Sequence, residues 1–228
     1  MKNKVVALMP MKGHSERVPN KNLRMLCGKP LYQWVVDALL ETKEISKILI
    51  DTDSQEIIED IKKAYVTPRV IAFRRQEFLL GDFVSMNAII NYDISLCDEK
   101  FFMQTHATNP LLTSKTIKEA IQLFFDNQKQ NDSVFAVNKI QSRLYDKNCN
   151  PINHNPKEML RTQDLDPIYE ENSNFYIFSK ESFFKAQERR IGLKPLLFGM
   201  SELESVDIDF EDDFILAECI IKATRHEK

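Results

Sequence analysis

Short apolar runs alternating with longer amphipathic stretches constrain this chain most. Val5–Met9, Lys47–Asp51, Arg69–Phe73, Phe101–Gln104, Ser133–Val137, Phe175–Phe178 and Ser205–Ile208 each read as a strand. Most are short and apolar, as expected of strands covered on both faces. Helical patterns fill the gaps. Leu31, Val35, Ala38 and Leu39 form one stripe, with Pro30 suited to the first helical position. Asp53 with Glu56 fits a capping-box start ahead of Ile57, Ile58 and Ile61. Thr113 or Ser114 caps a stretch carrying Ile117, Ile121, Phe124 and Phe125. Ser179 precedes Phe183 and Phe184, and Phe214, Ala217, Cys219 and Ile221 belong to a last helix. Strand alternating with helix predicts an α/β fold, a mostly parallel sheet with helices on both faces. Ligands of such sheets sit at the carboxyl ends of the strands.

The chain has 228 residues, so 1–228 reads as a single domain. Residues 139–172 stand apart, polar and carrying Pro151, Pro156 and Pro167. So long an irregular stretch inside a compact domain points to function. It reads as an excursion that covers the site, meets a partner subunit, or both.

The first strand runs into the segment Leu8–Leu31, which gathers Lys12, Arg17, Lys21, Arg24 and Lys29 with Gly13, Ser15 and Asn22. A basic loop with hydroxyl and amide groups after a leading strand suits a polyphosphate. Neither GxxxxGK[ST] nor GxGxxG is present. The bland alternative is a solvated charged loop. Net charge is −3, which disfavours general nucleic-acid binding and makes the basic loop a local feature. The four cysteines form no CxxC pair; they read as reduced thiols, which with the lack of a leader pattern predicts a cytoplasmic protein. No apolar run is long enough to span a bilayer.

Further polar groups are candidates. If Ser205–Asp209 is extended, Asp207 and Asp209 project from one face, and paired carboxylates suit Mg²⁺ or a similar hard ion. Alternatively, Asp209 caps the helix that starts near Glu211. His106, Thr108 and Asn109 follow a strand, where loops face ligands, or they only shape a turn. Asp82 and Ser85 are either site groups or helix caps, and Arg74 a site cation or a surface one. Arg161 could grip a carboxylate in a fork or form a surface pair, with Gln163, Tyr169 and Asn172 nearby in sequence. No GxSxG elbow occurs and no Cys stands beside a His, so covalent nucleophilic catalysis has no support.

Taken in order, these segments resemble the acylneuraminate cytidylyltransferases, also called CMP-sialic acid synthetases. Pro10, Ser15, Pro19, Lys21, Asn22 and Leu23 match that family's first loop, and Gly28-Lys29-Pro30-Leu31 its GKPL. Asp51-Thr52-Asp53, Thr108-Asn109-Pro110-Leu111, Arg161 with Gln163 and Asn172, and Ser205-Val206-Asp207-Ile208-Asp209 match its later motifs. The likeness covers nearly the whole chain. Met11-Lys12 stands where Ala-Arg is usual and Glu16 where a Lys is usual. His106 replaces an amide, and Leu112 an Arg. The last two changes fall where the sugar would sit.

The resemblance implies a Rossmann-like, glycosyltransferase-A-like nucleotidyltransferase sheet with a small dimerisation excursion, and a homodimer. It implies CTP and an acidic ulosonic sugar as substrates, with Mg²⁺ or Mn²⁺ as cofactor. Met11, Lys12, Gly13, Ser15, Arg17, Lys21 and Asn22 would hold the nucleotide, with Arg74, Asp82 and Ser85 near base and ribose. His106, Thr108, Asn109, Arg161, Gln163, Tyr169 and Asn172 would meet the sugar. Asp207 and Asp209 would bind the metal and act with Lys21 in catalysis. The related CMP-Kdo synthetases and a non-catalytic nucleotide-sugar binder are the rival readings.

Overall fold

The computed structural model describes residues 4–158 and 160–225. Met159, inside the expected excursion, lies outside them. Seven strands form one sheet: β1 (Val5–Leu8), β4 (Ile45–Thr52), β5 (Val70–Arg74), β6 (Phe101–Thr105), β7 (Ser133–Ile140), β8 (Ile168–Ser179) and β9 (Pro195–Gly199), ordered β5-β4-β1-β6-β8-β7-β9. Strand β8 alone runs against its neighbours β6 and β7; the other pairings are parallel. The expectation of a mostly parallel sheet holds.

Period-two alternation decides which helix covers which face. Val5, Ala7 and Met9 pack with α1 (Leu31–Glu41), α2 (Gln55–Ala64) and α4 (Ser114–Asn127). Val6 and Leu8 pack on the other side with Ile90 and Ile94 of α3 (Met86–Ser95) and Phe183 of α5 (Lys180–Lys185). The last helix, α6 (Glu211–Arg225), buries Phe214, Ala217 and Ile221 against Val18, Leu26 and Leu31. It thereby clamps the loop after β1.

That loop includes a two-strand hairpin, β2 (Met25–Leu26) and β3 (Lys29–Pro30). Its two-residue turn needs positive φ at both positions, which Cys27 (46°) and Gly28 (93°) supply. Pro30 is the residue before α1 rather than its first residue.

Four expectations are corrected. Ser205–Ile208 is not a strand: it joins no ladder, and Val206 and Ile208 satisfy their apolar pattern by packing on the α6 cluster. Strand β9, unexpected, forms the sheet edge opposite β5. Ser54, not Asp53, caps α2, accepting from the Ile57 N–H. The excursion narrows to 141–167, because β7 runs on to Ile140 and β8 begins at Ile168.

Candidate active site

Strand β1 does not end its pairing at Leu8. Met9 N–H donates to Leu49 carbonyl and Met11 N–H to Asp51 carbonyl, both at 2.8 Å. This extension carries the basic loop over the carboxyl ends of β1 and β4. There it walls a cleft of about 510 Å³ that Met11, Lys12, Ser15, Arg17, Lys21, Asn22, Asp82, His106 and Thr108 all line. Residues distant in sequence thus meet where a parallel sheet places ligands.

The loop is tied down by its own polar groups. Gly13 N–H donates to Asp53 Oδ1 at 2.5 Å. Asn22 Nδ2 donates to the Lys12 carbonyl at 2.8 Å. Lys12 pairs with Asp82 at 3.0 Å. Below the loop, Arg75 is buried and donates from Nε to Asp51 Oδ1 at 2.9 Å and from Nη2 to the Met11 carbonyl at 3.2 Å. Asp93, on α3, is fully buried beside this pair. Burial and the Asp51 charge hold its carboxyl far above the ordinary range, to about 9. It therefore stays protonated at neutral pH and donates to Asp51, which explains how these oxygens remain buried without any other donor.

The acidic segment enters from the other side. Lys21, with only 11% of its side chain exposed, donates to the Ile208 carbonyl at 2.5 Å and lies 3.5 Å from Asp209. Arg17 pairs with the same carboxylate at 2.8 Å. Asp209 lies outside α6, and its N–H and that of Phe210 donate back to Asp213 in the first turn of the helix. Asp207 lies deeper. Burial raises its pKa; a hydrogen bond from the Thr108 hydroxyl opposes that, while the Asp209 charge adds to it. Its Oδ1 is buried without a partner among the described residues. An orphaned carboxylate oxygen beside a second carboxylate fits a hard cation. Among the described residues no group of three or more His, Cys, Asp and Glu is arranged to hold a metal. These two carboxylates would therefore need further oxygens from a ligand.

His106 lines the floor of the cleft. Burial, with the nearby Arg190 and Lys21 cations, pushes its imidazole down to about 4, so it is neutral at pH 7. Its Nε2 is buried and without a partner.

Other expected site residues lie elsewhere. Arg74 is exposed at the end of β5, while its neighbour Arg75 reaches the cleft. Ser85 caps α3, accepting from Ala88 N–H at 3.2 Å. Asn109 is buried and ties the acidic segment, donating from Nδ2 to the Val206 carbonyl at 3.4 Å. Arg161 forks onto Asp164 in the excursion, exposed. Gln163 and Tyr169 are also exposed, and Asn172 bonds to Asn138 at 2.9 Å. Within this chain, Arg161, Gln163, Tyr169 and Asn172 do not line the cleft. Arg75 was legible in principle. In tandem arginines at a strand end, successive side chains point to opposite faces, so one turns inward.

A cation-lined cleft at the carboxyl ends of a doubly covered, mostly parallel sheet defines an α/β domain of Rossmann-like kind. A family model described as cytidylyltransferase matches residues 6–220, and the chain belongs to that family. It is 29% identical over 221 residues to N-acylneuraminate cytidylyltransferase A of Danio rerio, covering 94% of this chain and 50% of the relative. It is 27% identical over 241 residues to a pseudaminic acid cytidylyltransferase of Campylobacter jejuni, covering 100% of this chain and 99% of the relative. The chain thus spans about half the length of the first relative and nearly all of the second. A solved structure of CMP:2-keto-3-deoxy-manno-octonic acid synthetase complexed with CTP shares the fold, with TM-score 0.68 at 11% identity over 96% of this chain and 99% of that one.

Proposed function

We propose that the protein makes a CMP-sugar and pyrophosphate from CTP and a 3-deoxy-2-ulosonic acid of the sialic acid type. The carrying observation is a cleft lined by Lys12, Arg17, Lys21 and Thr108, with Asp209 paired to Arg17 and Lys21 and Asp207 held by Thr108 behind that lining. The sugar's anomeric 2-hydroxyl oxygen bonds to the α-phosphorus of CTP while the bond from that phosphorus to the bridging oxygen breaks. Such a transfer needs positioning and charge neutralisation rather than covalent catalysis. Lys12, Arg17 and Lys21 supply fixed positive charge, and Ser15, Asn22 and the loop amides orient the phosphates. Asp207 and Asp209 would hold Mg²⁺ or Mn²⁺, which supplies charge neutralisation at the phosphates. In the free protein Arg17 and Lys21 neutralise Asp209.

The pseudaminic acid relative matches from end to end. With His106 in the cleft where the first-named family carries an amide, this favours a nonulosonate other than plain N-acetylneuraminate; Leu112, expected beside the sugar, is instead buried in the core and bears on packing. A homodimer fits the exposed Tyr145, Ile152 and Leu160 of the excursion. Pyrophosphate release with CTP, UTP, ATP or GTP against N-acetylneuraminate, Kdo, Kdn and pseudaminic acid tests the reading. Dependence on CTP and on one ulosonic acid is expected; equal rates with ATP would sink it.

A further inference from the structure

A second cavity of about 410 Å³ adjoins the cleft, sharing Met86 with it, and Arg190, Glu171 and Ser85 line it. Arg190 lies in the segment between α5 and β9. Its guanidinium stacks 3.7 Å from the Tyr176 ring centroid, and only 20% of its side chain is exposed. Nη1 donates to Gln104 Oε1 at 2.7 Å and Nη2 to the Tyr176 hydroxyl at 3.0 Å. Both partners are neutral. The nearest acid, Glu171, is 3.6 Å away, and the Tyr176 hydroxyl already donates to it. The cation is thus rigidly aimed, and among the described residues its ion pair is the one to Glu171, too long for a hydrogen bond. Guanidinium N–H groups left over from these contacts are available to a further anion.

The floor of the cleft supplies the second observation. Among the described residues His106 Nε2 is buried without a partner, and the Arg190 and Lys21 charges both lower the pKa of that imidazole. Arg190 bonds Gln104, two residues before His106, so the guanidinium and the imidazole meet at the carboxyl end of β6. In an ulosonic acid the carboxylate and the reacting 2-hydroxyl are borne by the same carbon. A sugar reaching the α-phosphorus over His106 carries its carboxylate within a few bonds of the reacting oxygen.

We propose that Arg190 is the specificity residue for the acidic sugar, its guanidinium forking onto the substrate carboxylate while His106 Nε2 meets an adjoining sugar hydroxyl. The assignment rests on the cytidylyltransferase reading above. It gives Arg190 the role that the sequence pattern suggests for Arg161, which Asp164 already occupies.

The test is steady-state pyrophosphate release by wild type, Arg190→Met, Arg190→Lys and Arg161→Ala, with N-acetylneuraminate, pseudaminic acid and Kdo as probes. Arg190→Met should raise the KM of the best sugar at least tenfold, with the KM of CTP within twofold. Arg190→Lys should recover part of the loss. The methyl ester of the best sugar should inhibit wild type far more weakly than the acid does, and this preference should vanish in Arg190→Met. Melting temperatures identify a variant that fails through folding, and Arg190→Lys then carries the comparison. Wild-type turnover with an unchanged sugar KM in Arg190→Met, or a rise in the CTP KM alone, overturns the assignment. So does a sugar effect confined to Arg161→Ala. Absence of turnover by wild type with every sugar overturns the activity reading and this assignment together.

Discussion

Arg75 Nε donates to Asp51 Oδ1 at 2.9 Å in a place where both side chains are almost wholly buried. The same guanidinium holds the Met11 carbonyl, so this ion pair is also the footing of the basic loop. Replacing Arg75 by Met leaves the buried Asp51 carboxylate without its cation, which costs about 3 kcal/mol or more at neutral pH. Urea unfolding should show that loss, and it should shrink in acid, where Asp51 can take up a proton. An undiminished midpoint at pH 7 would contradict the pairing.

Asp93 makes stability fall with rising pH. Its folded pKa, about 9, exceeds the unfolded value of about 3.9. Below the unfolded value both states carry the proton and nothing is lost. Between the two values only the native state keeps it, so stability declines until the folded pKa is reached. Asp93→Asn should therefore be more stable than wild type near pH 8 and equal to it near pH 4. Parallel denaturation curves at the two pH values would refute the assigned proton.

His106 acts in the opposite direction. Its folded pKa of about 4 lies below the unfolded value of about 6.5. As pH falls between them the unfolded chain gains a proton the native state refuses, so stability drops by up to about 3 kcal/mol. His106→Gln should flatten this acid limb. Unfolding free energies measured from pH 7 to pH 4 decide the matter.

Asp207→Ala and Asp209→Ala should each slow pyrophosphate release by about 100-fold or more, on the scale of a lost charge-stabilising group. CTP should still bind, because Lys12, Arg17 and Lys21 remain. Calorimetric CTP titration beside the rate assay separates the two effects. Near-normal rates at saturating Mg²⁺ in both variants would remove the metal role.

Gly13 has no room for a side chain. A Cβ there would sit 2.5 Å from Ser54 Cβ, which α2 holds in place as its cap. Gly13→Ala should force the loop outward and break its N–H bond to Asp53, at about 1–3 kcal/mol. Weaker CTP binding with the sheet intact by far-UV circular dichroism is the expected result.

The sheet and the first loop were legible because both rest on local pattern. Apolar runs locate buried strands, and clustered cations after the first of them locate a basic cleft. Legibility failed where tertiary contacts override pattern. Val206 and Ile208 alternate like a strand, yet they pack on α6 without a ladder. Pro195–Gly199 carries few strand signals, and only its parallel pairing with β7 makes it a strand. Arg190 follows a short helix at a point with no motif. Its meaning comes from Gln104 and Tyr176, 86 and 14 residues away. The protonated Asp93 was hidden for the same reason, since burial against Asp51 creates its character.

The acidic segment is fastened by side chains and by one main-chain bond, Ile208 N–H to the Thr108 carbonyl, rather than by a sheet. Lys21 holds the Ile208 carbonyl, Asn109 the Val206 carbonyl, and Asn174 Nδ2 the Ser205 carbonyl. Three strand ends and loops therefore share one strap, and each contributes a single knot. Drift at any of these positions alters where the two carboxylates point. In lineages that change the sugar, Lys21, Asn109, Asn174 and the strap should change together or not at all.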